Sequence, residues 1–407
     1  MASKTICIKF AAFLNVIALL VQGCGGGSGT GSSSGGSGGV VGATVNSTPD
    51  LWRFYNAGGE RVFYGYDPYV NRIMRVSLNA ATVEHSSRLS VPARTDSWFA
   101  GPEGKIFFTM DDKSLSILNP ETGASTLVKT FAGRIVSVAA EASQGLYAFV
   151  DEYSAITLLS VSQTGTVEGQ WTGGPILGDG VVINAGDILP GGKFVVGSTA
   201  GKFAVINIKD SIASSSWKFT TQTLTDGKAI NFVAPVKDRS DRVVIGTQEN
   251  TMLIDVNTGA IVDTEPTGAN GTRQKNGRVH VAYLDTTTDR WKFIAVSGGD
   301  SFTRFDLPNN DILKLKTEAE QSYLTDSGFN LVLKGNGSRS RRVVTMRLSD
   351  ALVEKSFDIN ASARIGLSDD GFSAMDPSAL GSISVYNLTT GATKSFLGYN
   401  RQILQKE

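Results

Sequence analysis

Cysteine and histidine are nearly missing from this chain, with 2 of each in 407 residues. Cys7 and Cys24 both precede the part that reads as folded, so no disulfide framework is available. His85 and His280 lie far apart in sequence, which argues against a histidine-ligated metal or a histidine-based catalytic centre. Net charge is missing too, since 38 basic residues face 38 acidic ones. Nucleic-acid binding needs a basic excess to offset phosphate, so no nucleic-acid partner is expected. No stretch beyond residue 24 carries a long helical period, which excludes a helical bundle. The apolar run from Phe10 to Val21 is too short to span a bilayer comfortably.

Two motifs match only superficially. Gly35-Gly36-Ser37-Gly38-Gly39 has the spacing of a nucleophile elbow, but it lies in a Gly/Ser tract and not between a strand and a helix. Gly178-Asp179-Gly180 starts like a dinucleotide loop, but the third glycine and the following helix are both missing.

What the chain does have is a recurring strand-and-turn unit between Leu51 and Gly398. One row of turn residues reads Asn79-Ala80-Ala81, Pro120 to Gly123, Gln163-Thr164-Gly165, Lys209-Asp210-Ser211, Asn257-Thr258-Gly259, Asn309-Asn310-Asp311, Ser349-Asp350-Ala351 and Thr389-Thr390-Gly391. A second row runs through Gly58-Gly59, Gly101 to Gly104, Ser143-Gln144-Gly145, Pro190-Gly191-Gly192, Asp238 to Asp241, Asp285 to Asp289, Asp326-Ser327-Gly328 and Asp369-Asp370-Gly371. Gly, Asn and Asp tolerate positive φ and close tight hairpins. Each row recurs about every 40 to 50 residues, the length of one four-stranded propeller blade. Between the turns lie short β-branched and aromatic runs such as Arg242-Val243-Val244-Ile245 and Ser382 to Tyr386. The expected fold is therefore all-β, a single β-propeller of eight four-stranded blades over residues 51–398. Seven blades plus an irregular segment is the alternative, because Val181 to Leu189 matches a first strand poorly. Residues 399–407 form a C-terminal tail.

The N-terminus reads as an address. Lys4 and Lys9 precede the apolar run, and Val21-Gln22-Gly23-Cys24 follows it. This segment resembles a bacterial lipoprotein signal peptide. The resemblance implies cleavage after residue 23 and acylation of Cys24, giving a stable membrane anchor. Losing residues 1–23 removes two lysines and no acid, which takes the net charge from 0 to −2. Residues 24–50 begin with a Gly/Ser-rich tether of roughly 20 Å reach. Gly25 after the cysteine, by the same resemblance, implies an outer-membrane lipoprotein.

Leu253-Ile254-Asp255-Val256-Asn257-Thr258-Gly259-Ala260 is the clearest third-to-fourth-strand unit, with weaker copies at Ile117 to Gly123 and Val385 to Gly391. These resemble YVTN, WD40-like and quinoprotein-like propellers. Quinoprotein repeats place a docking Trp shortly after the Thr-Gly, and these three units have none. No cofactor is expected.

In a four-stranded blade, the second-to-third-strand loops share a rim with the loops between blades. That places Asp67, Tyr69, Asp111, Asp112, Asp151 and Glu152 on one arc of a rim. The long inter-blade stretches Thr172 to Gly186 and Thr264 to Arg278 join it, as do Gly299-Asp300 and Lys334 to Arg342. Basic residues there are Arg273, Lys275, Arg278, Arg339, Arg341 and Arg342. A rim polarised in this way suits electrostatic docking of a protein partner. Aromatics also crowd the first unit (Trp52, Phe54, Tyr55, Phe63, Tyr64, Tyr66, Tyr69), where they serve as blade core or as a sugar-stacking surface. The expectation is a lipid-anchored scaffold that binds another envelope protein, facing the periplasm or the cell surface. The alternative is a hydrolase or lyase acting on an envelope polysaccharide, built on Asp67, Tyr69, Asp111 and Asp151.

Overall fold

The computed structural model describes the strands between residues 52 and 397, with side chains across most of residues 101–307 and 342–358. The signal segment, Cys24, the tether and the tail lie outside the described residues, as do Tyr69, Asp111, Asp112 and Arg339.

The described strands form eight four-stranded antiparallel sheets in strict sequence order. The first holds β1 (Trp52–Ala57), β2 (Glu60–Asp67), β3 (Arg72–Ser77) and β4 (Thr82–His85), and the second β5 (Ala93–Ala100), β6 (Ile106–Met110), β7 (Ser114–Leu118) and β8 (Ser125–Thr130). The third holds β9 (Ile135–Glu141), β10 (Leu146–Asp151), β11 (Ile156–Val161) and β12 (Val167–Gly173). The fourth holds β13 (Ile183–Leu189), β14 (Lys193–Ser198), β15 (Lys202–Asn207) and β16 (Phe219–Thr223). The fifth is β17 (Phe232–Pro235), β18 (Arg242–Gly246), β19 (Thr251–Asp255) and β20 (Ile261–Glu265). The sixth is β21 (Thr272–Asn276), β22 (Arg278–Asp285), β23 (Arg290–Val296) and β24 (Phe302–Asp306). The seventh is β25 (Ala319–Leu324), β26 (Gly328–Leu333), β27 (Ser340–Arg347) and β28 (Val353–Asn360). The eighth is β29 (Arg364–Ser368), β30 (Gly371–Pro377), β31 (Ser382–Asn387) and β32 (Thr393–Leu397). First strands of successive sheets lie side by side from β5 through β25, and β1 lies beside β29. The fourth strand is each sheet's outer edge.

Side-chain alternation along the strands explains the stacking. In β10, Leu146, Ala148 and Val150 pack toward the fourth sheet, while Tyr147 and Phe149 pack toward the second. In β14, Phe194 and Val196 face the third sheet and Val195 faces the fifth. In β18, Val243 and Ile245 face the fourth sheet and Val244 the sixth. In β23, Trp291, Phe293 and Ala295 face the seventh sheet, and Ile294 and Val296 the fifth. A strand with both faces buried reads as a continuous apolar run, and β10 is buried at every position. The outer strand has only one covered face and alternates or turns polar, as in Val-Glu-Gly-Gln-Trp-Thr-Gly of β12.

Irregularities are confined to the sheet margins. In all eight sheets the second and third strands pair without a register shift. In four sheets the outer strand carries one extra residue: Val128 in β8, Glu168 in β12, Val262 in β20 and Glu354 in β28. Such bulges bend and twist an edge that would otherwise template further strands.

The weak first strand of the fourth unit, needed for eight units, forms as β13, with a register shift near its start. Two expectations need correction. Lys209-Asp210-Ser211 is not a hairpin turn but part of helix α1 (Ile208–Ser214), because Asn207 caps it by accepting from the Asp210 N–H at 3.2 Å. Ile212 and Trp217 then pack against the third sheet. The sixth unit is offset by one strand. The polar run Thr272–Asn276 pairs with β22 and takes the inner place, so Asp285 to Asp289 joins second to third strand. Asp300 therefore lies in a third-to-fourth-strand turn, on the rim opposite to the one expected, while the turn expected at Asn309 to Asp311 lies outside the described residues.

Phe107 is fully buried and meets Tyr147 edge-on at 4.9 Å across the second and third sheets. Phe107→Ala is expected to cost about 3–5 kcal/mol in denaturant unfolding. Leu127→Ala, on the exposed face of β8, should stay within about 0.5 kcal/mol. Equal small losses would show that this sheet interface does not carry stability.

Candidate functional site

Alternating strand direction puts the second-to-third-strand turns and the inter-sheet segments on one rim, here the upper, and the remaining turns on the lower. The two groups are tied by different chemistry.

Among the described residues of the upper rim, the loop after β10 is the most extensively hydrogen-bonded. Asp151 ends that strand, buried, and its Oδ1 accepts from the backbone N–H groups of Tyr153 and Ala155, both at 2.9 Å. Ser154 takes a positive φ of 61°, a strained choice for serine, and its Oγ accepts from Ile183 N–H at 3.2 Å. Glu152 Oε1 accepts from the Arg134 N–H at 3.0 Å, and its own N–H donates to the Arg134 carbonyl at 2.9 Å. The loop is thus fastened to the segments entering the third and the fourth sheets. Tyr153 is left at its crest with 69% of its surface exposed, and Val182, beside the Ser154–Ile183 contact, with 44%. An aromatic held out by a braced backbone is prepared for contact at little further entropic cost. Sequence reading picked out Asp151 and Glu152 as rim charges. Both serve the loop's own structure, and the presented group is Tyr153. The signal was in Asp151-Glu152-Tyr153-Ser154, where an Asx turn forces the third residue outward.

The basic residues expected on this rim separate in space. Arg273 lies within β21, 4% exposed, not in a solvated loop. Its guanidinium donates to Thr251 Oγ1 at 3.1 Å, Thr267 Oγ1 at 2.8 Å and the Gly268 carbonyl at 3.3 Å. Burial lowers its pKa to about 10. Gly246 permits this placement, since a Cβ there would come within 2.6 Å of the Arg273 side chain. Lys275 and Arg278 are strand residues of β21 and β22, and Arg341 and Arg342 belong to β27. Arg342 forms a two-pronged pair with Asp358 of the adjoining outer strand, both contacts at 2.8 Å. Asp67 is the last residue of β2, opposite Arg72 in register. Among the described residues no group of three His, Cys, Asp or Glu side chains could hold a metal ion. His280 is a core residue, stacked on Phe293 with centroids 5.4 Å apart.

The lower rim is stitched sheet to sheet. A cation at or just before the start of a second strand reaches the third-to-fourth-strand turn of the next sheet. Lys105 Nζ donates to the Thr164 carbonyl at 2.8 Å, and Lys193 Nζ to Asn257 Oδ1 at 2.8 Å. Arg242 Nε reaches Asp300 at 3.1 Å and a terminal nitrogen of Arg239 reaches it at 3.3 Å. Asp241 and Asp255 close this network, each 2.8 Å or less from an arginine nitrogen. The hydrogen bond from Arg239 holds the Asp241 carboxyl at about 2. A further tie joins the outer strands of the fifth and sixth sheets. Arg304 pairs with Asp263 at 2.9 Å and Glu265 at 2.7 Å, and the Tyr283 hydroxyl donates to Glu265. Burial, then this hydrogen bond, pushes the Tyr283 phenol above its usual range. Burial would raise the Asp263 carboxyl, but Arg304 and the backbone N–H groups of Phe302 and Thr264 outweigh it and hold it low.

A depressed carboxyl stabilises the fold above its unfolded pKa, and that contribution is lost as pH falls through the folded one. The Asp241 share should therefore be present above about 3.8 and disappear toward about 2. Arg239→Gln should move the Asp241 titration, followed by carbon-13 NMR, back toward 3.8 and make acid destabilisation shallower. An unmoved titration would show that Arg239 does not set it.

No protein-family model matches the chain, and no curated protein matches it. Solved structures do. The chain is similar to a dihydro-heme d1 dehydrogenase, NirN, in complex with DHE, at 10% identity and a TM-score of 0.56, covering 87% of this chain and 74% of that one. It is also similar to Sqt1 of Saccharomyces cerevisiae, at 12% identity and a TM-score of 0.53, covering 74% of this chain and 85% of that one. With the sequential four-stranded sheets, these likenesses establish the fold as a β-propeller.

Proposed function

We propose that this chain is a lipid-anchored, extracytoplasmic propeller of eight blades over residues 51–398 that closes β29 against β1. In this reading it serves the cell envelope as a protein-binding scaffold. Cys24 carries the anchor in the outer membrane, and residues 24–50 let the ring stand off the bilayer. The run Lys4 to Cys24 supports the address, and the order of the sheets with β1 beside β29 supports the ring.

The observation that carries the binding role is Tyr153, exposed on a loop braced on both sides by hydrogen bonds. Exposed tyrosines on rigid backbone supply large contact area with few torsions to freeze, which makes them anchors of protein interfaces. Val182 adds apolar surface and Glu152 a polar border.

Crosslinking in native cells, followed by mass spectrometry, tests this reading. A reproducible envelope protein should co-purify with the parent and fall at least about tenfold with Tyr153→Ala, as loss of an interface anchor worth some 1.4 kcal/mol or more requires. Equal recovery from both would remove Tyr153 from the interface. The anchor is tested separately: Cys24→Ala should release the chain from the membrane fraction, and unchanged partitioning would overturn lipidation.

A further inference from the structure

The eight outer strands are not equally defended. β4 contains Glu84, β24 contains Arg304 and Asp306, and β32 contains Lys394. β8, β12, β20 and β28 carry charges and also a bulge each. Charge and bulging are the usual means by which an edge strand is kept from pairing with another chain. β16, Phe219-Thr220-Thr221-Gln222-Thr223, has neither. Its register with β15 is unbroken from Lys202↔Thr223 to Ile206↔Phe219. It ends its sheet, and every residue but Gln222 is exposed.

The direction of its free backbone groups follows from the bonds that flank it. Asn207 N–H donates to the Lys218 carbonyl at 2.8 Å, and Leu224 N–H to the Gly201 carbonyl at 2.8 Å. In an antiparallel ladder, hydrogen-bonded pairs alternate with pairs that are not bonded to each other. Thr220 and Gln222 therefore bond inward to β15, while the N–H and C=O groups of Phe219, Thr221 and Thr223 point away from the sheet.

We propose that β16 pairs antiparallel with β16 of a second copy of this chain about a two-fold axis through Thr221. The three outward-facing residues suit that symmetry: Thr221 meets its own copy, and Phe219 meets Thr223 on each side of the axis. The ladder would hold roughly six backbone hydrogen bonds. A two-fold axis sets each residue against a fixed counterpart, and an edge with no charge brings no like charges together. Phe219, 40% exposed, lies over the partner's Thr223 and covers apolar surface there. This pairing uses the outer edge of the fourth sheet, away from the upper-rim loop, and stands or falls independently of the scaffold reading.

Two differently tagged full-length copies, co-expressed in the same cells, test it. The parent copies should co-purify. Thr221→Lys in both copies places two ammonium groups face to face on the axis, and Thr221→Glu in both does the same with carboxylates. Each should reduce co-purification on the order of tenfold, while thermal midpoints stay those of the parent, since residue 221 is exposed. One copy with Thr221→Lys and the other with Thr221→Glu should restore it. The proposal is overturned if the parent copies do not co-purify, if the doubly Lys-bearing pair associates like the parent, or if the mixed pair is not restored. The first of these results would turn the edge toward an extended segment of a different protein.

Discussion

The structure depends on one constraint: successive side chains of a β-strand point to opposite sides, and here both sides are interior. Every inner strand must therefore supply two different packing surfaces in alternation, one for the preceding sheet and one for the following. Phe194 and Val196 answer to the third sheet while Val195, between them, answers to the fifth. A slip of one residue would exchange the two surfaces at once and misfit both interfaces. That is the physical reason the second and third strands pair without a shift in every sheet, while bulges gather in the first and fourth. The outermost strand has one covered face, and the first strand begins where the chain arrives from a neighbour, so each tolerates an extra residue.

Polar chemistry then works at the borders that packing leaves open. On the lower rim, Lys105, Lys193, Arg239 and Arg242 each reach to the next sheet, joining the second to the third, the fourth to the fifth and the fifth to the sixth. On the outer wall, Arg304 gathers Asp263 and Glu265 across the fifth and sixth sheets. Ties of this kind between exposed groups contribute modestly to stability. Their larger effect is geometric, because they fix the angle at which one sheet leaves the next. On the upper rim the same economy serves presentation. Asp151, Glu152 and Ser154 are consumed in bracing a four-residue turn, and the group delivered to solvent is Tyr153.

The sixth sheet shows how far tertiary context overrides local pattern. Thr-Arg-Gln-Lys-Asn has no apolar period and reads as loop, yet it fills the inner position of its sheet as β21. Arg273 is tolerated there because two threonine hydroxyls and a carbonyl receive its guanidinium, and because Gly246 has no Cβ to collide with it. Each of those partners comes from the fifth sheet or the segment that follows it. The rule that buried polar groups are hydrogen-bonded holds, but the bonds are made by residues remote from the local window.

The sequence alone determined the class of fold and most of its punctuation. Turn residues at hairpin spacing, such as Asn257-Thr258-Gly259 with Gly259 at a φ of 73°, mark their positions for local steric reasons, and local steric reasons are written in local sequence. Apolar runs between them, such as Arg242-Val243-Val244-Ile245, announced strands buried on both faces. Only the tertiary structure decided which run is first in the sixth sheet, which rim receives Asp300, and that Arg273 is interior while Tyr153 is presented. It also decided that Arg342 is taken up by Asp358 instead of standing free on the rim. These outcomes depend on partners that the chain brings together from different sheets. Burial and hydrogen bonding are properties of such encounters, and no single stretch of sequence contains them.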